Sequence, residues 1–274
     1  MAIDSQLTKD TIAAELDSLL KAVSEQKQFL ERCSDSESDD FLDGMTALLR
    51  FVCSYENRAA YEVFEQTEDF ASFQSFFHDC LLRFAIALEE LSLRELIEQK
   101  SVSAPDFGQL LIERAKPSYE RMANTIRLAD HAQCRKYVMV GIGRVPFSLF
   151  YLHDFTSIPE MIGIDNNPQA IEKCQQGLDL YNLSRISVQC KDGRHYDYSD
   201  ADIVYVACFA RPKKEILDQI ARTAKRDCQI IVQVPEFTGS LLNDRVTFDN
   251  QFSVTAQSPE PSSWMLRHVV ASLC

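Results

Sequence analysis

Tyr137-Val138-Met139-Val140-Gly141-Ile142-Gly143-Arg144-Val145-Pro146 is the stretch on which the fold turns. Four apolar residues running into Gly-x-Gly read as a short buried strand and a tight turn, with a helix from Phe147. Moving outward, Met161–Ile164 reads as a second strand ending at Asp165, followed by a helix from Pro168 to Tyr181. Ile186–Cys190, Ile203–Ala207 and Gln229–Val234 read as further strands, with a helix around Lys213–Lys225 between the last two. Strands that alternate with helices imply a parallel sheet with crossover connections. The tail differs: Phe252–Gln257, a turn through Pro259-Glu260-Pro261, and Trp264–Ala271 read as an antiparallel hairpin closing the sheet.

Toward the N-terminus the period changes to three and four. Leu16, Leu19, Leu20 and Val23 form one stripe; Phe77, Leu81, Phe84, Leu88 and Leu91 form another. Gly44 and Gly108 are the only glycines before residue 133, and the breaks fall at Ser34–Asp40, Gln66–Asp69 and Ser101–Gly108. Four to six helices are expected. The chain of 274 residues therefore reads as a helical bundle domain over 1–133 and a sheet domain over 134–274. The fold class is α/β: a class I methyltransferase-like Rossmann fold with an N-terminal helical bundle domain.

Charge follows the same division. Residues 1–133 carry 25 acidic against 13 basic side chains, and the remainder 16 against 15, for a net charge of -13. Such a balance argues against nucleic acid as a partner, because phosphate binding needs a basic surface. The 9 cysteines are scattered singly, without a Cys-x-x-Cys pair, which fits reduced thiols in a cytoplasmic protein. No histidine has a partner at metal-ligand spacing, so no metal site is expected from His78, His153 or His195. No stretch has the roughly 18 apolar residues of a membrane span.

Open parallel sheets bind ligands at the carboxyl ends of their strands. Gly141 and Gly143 stand at the end of the first strand, where they let backbone approach a ligand. The third glycine of a dinucleotide fingerprint is replaced by the Arg144-Val145-Pro146 run, which favours a cofactor without phosphates. Asp165 is placed to accept from two ribose hydroxyls, or else to cap the helix at Pro168. Asp192-Gly193, after the third strand, is placed against an adenine. Together these point to S-adenosylmethionine.

From about Thr46 to Leu273 the chain resembles the nicotianamine synthase-like aminobutanoyltransferases, a group that includes bacterial enzymes making opine-type metallophores. The glycine loop with its late Pro146 resembles that family's loop, and Ile164-Asp165-Asn166-Asn167-Pro168 its Asp-x-Asp-Pro segment, with Asn167 replacing the second acid. Asp202-Ile203-Val204-Tyr205-Val206-Ala207 followed by Lys213-Lys214 resembles the family's fourth strand and the turn after it. Ser258-Pro259-Glu260 resembles its His-Pro-Glu hairpin, Leu81-Leu82-Arg83-Phe84 through Glu89 the helix of its catalytic glutamate, and Pro117-Ser118-Tyr119 its Pro-Tyr-Tyr segment. Asn124 resembles a family asparagine. Gln233-Val234-Pro235-Glu236-Phe237-Thr238-Gly239 departs from the plant-type Arg-Ser-Ala-His-Gly segment, which favours a short enzyme making one transfer.

The resemblance implies S-adenosylmethionine as donor of its 3-amino-3-carboxypropyl (2-aminobutanoyl) arm, methylthioadenosine as leaving group, and an amino-acid amine as acceptor, with histidine favoured. Glu89 is then the base, with Glu56 as fallback, and Tyr119 orients the amine or the arm. Gly141, Gly143, Pro146, Asp165, Asn166, Asp192, Gly193 and Ala207 would hold the donor. The helical half would cover the donor in a closed chamber, and a homodimer through the helices would be unsurprising. Two rivals use the same parts: cyclisation of the donor to azetidine-2-carboxylate, and methyl transfer to a small molecule. A non-enzymatic module whose acidic helices dock a partner is the alternative outside catalysis.

Overall fold

The computed structural model describes residues 2–99, 106–259, 261 and 264–274. Glu260 of the expected hairpin turn and part of the break over 101–108 lie outside them. The helices before the sheet are α1 (Ala2–Arg32), α2 (Asp39–Ser54), α3 (Arg58–Phe64), α4 (Phe70–Glu98), α5 (Lys116–Glu120) and α6 (Ala123–Leu128). The Ser34–Asp40 break is shorter than its sequence suggests: Ser38 caps α2 by accepting from the Phe41 N–H, and Asp39 and Asp40 lie in the helix at the positive end of its dipole.

The sheet comprises β1 (Lys136–Val140), β2 (Glu160–Asp165), β3 (Ile186–Cys190), β4 (Ile203–Val206), β5 (Gln229–Pro235), β6 (Phe252–Gln257) and β7 (Leu266–Leu273), in the order β3-β2-β1-β4-β5-β7-β6. The pairs β1–β2, β1–β4, β2–β3 and β4–β5 are parallel and β6–β7 is antiparallel. Between them run α7 (Phe147–Phe155), α8 (Pro168–Tyr181) and α9 (Lys213–Thr223). The strand order reverses between β1 and β4, the switch point at which doubly wound sheets form a crevice.

The strands are apolar on both faces because each face has its own core. Tyr137, Met139, Met161, Ile203, Tyr205 and Ile231 pack with residues of α5, α7 and α8. Val138, Val140, Ile162, Val204, Ile230 and Val232 pack with Ile216, Leu217 and Ile220 of α9. The alternation is the strand period of two, here buried on both sides.

The chain forms two compact units that part inside α4. The first is Met1–Ala85 with Pro235–Arg245 and Ser263–Met265; the second is Ile86–Val234, Val246–Ser262 and Leu266–Cys274. A continuous 29-residue helix carries no sequence mark where its packing partners change, whereas composition changes at the first strand. In consequence the second half of α4, with Glu89, and the short helices α5 and α6 belong to the same unit as most of the sheet.

The first unit also holds the segment after β5. Tyr61 lies 3.2 Å from the Thr238 carbonyl and 2.9 Å from Ser240 Oγ, and Thr238 Oγ1 donates to the Val52 carbonyl at 2.7 Å. Arg245 makes two bonds to Glu65, at 2.6 and 2.8 Å. The stretch that departs from the plant-type segment thus packs on helices. Among the described residues no helix is long and apolar enough to cross a membrane.

Candidate active site

The glycine loop after β1 is held by its own backbone. Gly141 and Gly143 have φ of +80° and +68°, the left-handed region that favours glycine. The Gly141 N–H continues the ladder to the Ile164 carbonyl at 2.8 Å. The Gly143 N–H leaves the ladder and donates to Asp165 Oδ2 at 3.1 Å, while Asp165 Oδ1 accepts from the Asn167 N–H at 2.9 Å. Asp165 therefore ties the ends of β1 and β2 together. It does not cap α8; Asn167 does, accepting from the Gln169 N–H at 3.0 Å. A carboxylate has about four acceptor positions, so two of Asp165's remain for hydroxyl donors.

Gly141, Asp165, Asn166, Asp192 and Gly193 line one cavity of about 250 Å³, together with Lys191, Phe209 and Arg211. Ligand clefts generally span roughly 300–1,000 Å³, so this space suits a nucleoside and leaves the rest of any larger donor outside it. Its apolar lining (Val140, Ile164, Phe209, Ile216) suits a base, and the Asp165 end suits a sugar. Asp192 differs from expectation in one respect. Arg194 forks its carboxylate, Nε at 3.1 and 3.0 Å and Nη2 at 2.6 Å, and holds it below the ordinary carboxylate range. Most of Asp192's acceptor capacity is therefore taken by Arg194. Phe209, Arg211 and Lys191 were not read as site residues; an aromatic and a cation just beyond strands β4 and β3 were the available signal.

Pro146 is buried at the start of α7, where its carbonyl accepts from the Phe150 N–H at 2.9 Å; it shapes the loop exit. Ala207 continues the ladder to the Val140 carbonyl at 3.1 Å. Neither lines the cavity.

Glu89 is brought to the loop. Its Oε2 accepts from the Arg144 N–H at 2.8 Å, and its carboxyl lies against the open side of Gly143, where a Cβ would overlap Oε1 and fall 2.8 Å from Cδ. Burial pushes its carboxyl up to about 8 against the pull of the Arg144 N–H and side chain, with Asp165 and Glu90 adding to the rise. The next residue behaves differently: Glu90 pairs with Arg144 Nε at 3.0 Å and Lys173 at 3.5 Å. Adjacent positions on one helix thus hold one desolvated carboxyl and one paired carboxylate. Glu56 stands exposed in the link between α2 and α3, in the other unit.

Tyr119 has a protein partner for its hydroxyl in this structure. Its hydroxyl donates to Asp154 Oδ2 at 2.6 Å, its ring packs edge-on against Tyr151, and Asp154 also accepts from the Phe107 N–H at 2.8 Å. Asp154 is in the last turn of α7, about 10 Å along the axis from the loop end at 1.5 Å per residue. Burial, with Asp154 adding to it, drives the phenol well above its usual value. Tyr119→Phe should cost about 1–3 kcal/mol of stability, as expected for a bond to a charged acceptor, and leave turnover within about threefold. Denaturant unfolding beside a rate assay checks both; a far larger rate loss would return Tyr119 to the site. Asn124 is half-buried on α6. Among the described residues no cluster of His, Cys, Asp and Glu could hold a metal ion.

No family model and no curated protein matches the chain. Solved structures do. The fold is that of the class I methyltransferase-like proteins: the mitomycin 7-O-methyltransferase MmcR aligns at TM-score 0.50 and 15% identity over 100% of both chains. The likeness is greater to MtNAS, a nicotianamine synthase. Its complex with MTA and tNA aligns at TM-score 0.78 and 18% identity, covering 93% of this chain and 98% of that one. A glutamate-to-glutamine mutant of MtNAS in complex with S-adenosylmethionine aligns at 0.76 and 16%, covering 95% and 98%. At these identities the shared property is the fold, the helical N-terminal region included.

Proposed function

We propose that the protein is an S-adenosylmethionine-dependent transferase that moves the 3-amino-3-carboxypropyl arm to the amine of an amino acid, with histidine favoured, and releases methylthioadenosine. The observation that carries this reading is the Glu89 carboxyl, desolvated and set against Arg144 and against Gly143, whose N–H is bonded to Asp165 of the nucleoside-sized cavity. Support comes from MtNAS, whose structures contain S-adenosylmethionine, MTA and tNA and whose crystallised variant changes a glutamate.

When bound, the donor supplies a sulfonium with three activated carbons; the leaving thioether takes the electron pair of the broken C–S bond. The protein's task is to choose the carbon and manage one proton. Asp165 would hold the ribose, with Gly141 allowing close backbone approach, and Phe209 would flank the base. Glu89 would accept the proton that the attacking amine loses as its new C–N bond forms. A carboxyl that titrates near 8 is matched to that work, since a base is most effective with a pKa near the working pH. A methyltransferase needs the same nucleoside cavity but no such base when its acceptor is already nucleophilic, so Glu89 favours amine alkylation.

Incubating the purified chain with S-adenosylmethionine, with and without histidine, separates the readings by product. Methylthioadenosine with an acceptor adduct supports the transfer. Methylthioadenosine with azetidine-2-carboxylate supports cyclisation, and adenosylhomocysteine would sink both. Asp165→Ala should weaken donor binding about 10- to 100-fold, the scale of one or two hydrogen bonds to a charged acceptor. Unchanged affinity in calorimetry would remove Asp165 from the ribose.

A further inference from the structure

Glu89 and Glu90 are neighbours on α4, and both are tied to the same residue of the glycine loop. The Arg144 N–H donates to Glu89 Oε2 at 2.8 Å, while the Arg144 side chain turns to Glu90, Nε to Oε1 at 3.0 Å. A helix step of about 100° separates the two side chains. One loop residue meets both by using its backbone for the first and its guanidinium for the second. Lys173 of α8 approaches the other oxygen of Glu90, at 3.5 Å. Three residues further along α4, Leu93 lies against Gly177 of α8, where a Cβ would stand 3.7 Å from Leu93 Cδ1. The two helices are therefore packed together here. Glu90 sits at the margin of their contact, its side chain 20% exposed against 16% for Arg144 and 44% for Lys173.

The Arg144 guanidinium is thus largely buried with two carboxyls close by, and it is paired with one of them. Its charge still favours ionisation of Glu89, and burial outweighs it; Asp165 from the end of β2 and Glu90 from α4 itself act against ionisation. From α8 the buried Cys174 thiol feels the charges of Glu89 and Asp165 and is held protonated by burial. A guanidinium bonded directly to a carboxylate occupies its lone pairs and keeps it ionised. A carboxylate held in that way takes up a proton poorly.

We infer that Glu90 is a positioning residue for the proposed base: with Lys173 on its other oxygen it engages the Arg144 side chain and keeps the guanidinium off Glu89, while the Arg144 backbone keeps Glu89 on the glycine loop. The inference rests on the transferase reading above for the use to which Glu89 is put. The pairing that it describes stands on the geometry of α4, the loop and α8.

The test reads the Glu89 carboxyl directly, by carbon-13 NMR titration of the full chain labelled at the glutamate side-chain carboxyls, with Glu89→Gln identifying the resonance. The wild-type midpoint should lie near 8. Glu90→Gln releases the guanidinium and should lower the midpoint by about 1–3 pH units, the scale of an opposite charge within ~4–6 Å. Arg144→Gln, which retains the backbone N–H, should raise it. Glu90→Asp keeps the charge and should keep the midpoint near its wild-type value, so a general disturbance of the site is told apart from loss of the pairing. Glu172→Gln, which removes an exposed charge from α8, should leave the midpoint in place. A wild-type midpoint in the ordinary carboxylate range, an unmoved midpoint in Glu90→Gln, or an equal fall in Glu90→Asp overturns the role given to Glu90. The pH profile of kcat/KM for methylthioadenosine formation is then read on the same variants and should move with the midpoint. A midpoint that falls in Glu90→Gln while the rate profile stays would instead overturn Glu89 as the base and leave the pairing standing.

Discussion

Glu89→Gln is expected to lower kcat by about 100- to 10,000-fold, the range general bases contribute, while donor affinity stays within a few-fold. Gln preserves the shape and can still accept from the Arg144 N–H, so the loop stays in place; what disappears is the capacity to take a proton. The same variant should be more stable than wild type at alkaline pH. In the folded chain Glu89 holds its proton to about 8, whereas an unfolded carboxyl releases it near 4.5. A raised carboxyl costs nothing at pH values below the unfolded value, costs progressively more as pH rises between the two, and costs its full amount above the folded value. At about 1.4 kcal/mol per pKa unit, discounted because the residue is only partly buried, the advantage of Gln should reach about 2–4 kcal/mol by pH 9 and vanish by pH 4. Urea unfolding of both proteins at pH 4, 7 and 9 measures it. Equal stability at all three would show that Glu89 is not desolvated; full activity would show that it is not the base. Wild-type kcat/KM should correspondingly climb with pH toward 8, since it reports the free enzyme.

The second large effect is expected from Gly143→Ala. At φ +68° an alanine costs about 1–2 kcal/mol, and its Cβ would overlap Glu89 Oε1. Two adjustments relieve the overlap, and both damage the site. If the carboxyl swings away, the Arg144 N–H loses its acceptor and the proposed base leaves its position. If the loop turns, the Gly143 N–H leaves Asp165, and the residue proposed to hold the ribose loses its brace. A stability loss of about 2–4 kcal/mol is expected, from backbone strain with steric overlap, with turnover reduced at least as much as donor binding. The double variant Gly143→Ala/Glu89→Ala isolates the contact: removing the carboxyl should restore about half of the lost stability. Strictly additive effects would mean that the two residues do not touch.

Much of this protein was written locally. A strand of four apolar residues, a Gly-x-Gly turn and an acid at the next strand end depend on neighbours in sequence, and the period of two against the period of 3.6 separates sheet from helices. Hence the seven strands, the glycine loop, Asp165 at the end of β2 and the helix of Glu89 were all readable from residue order. What residue order could not show is which of several equivalent side chains is removed from water. Glu89 and Glu90 are identical in type and adjacent, yet only tertiary packing sets one against Gly143 and pairs the other with Arg144 and Lys173. Tyr119 could as well have faced an amine as Asp154, because a phenol needs a partner when buried and sequence does not name it. The division inside α4 and the docking of the segment after β5 on the first helices also depend on contacts between residues more than 150 positions apart. Sequence determined the elements and the loop that joins them; long-range packing, which exists only once the chain has folded, decided which groups in them are desolvated and which are paired.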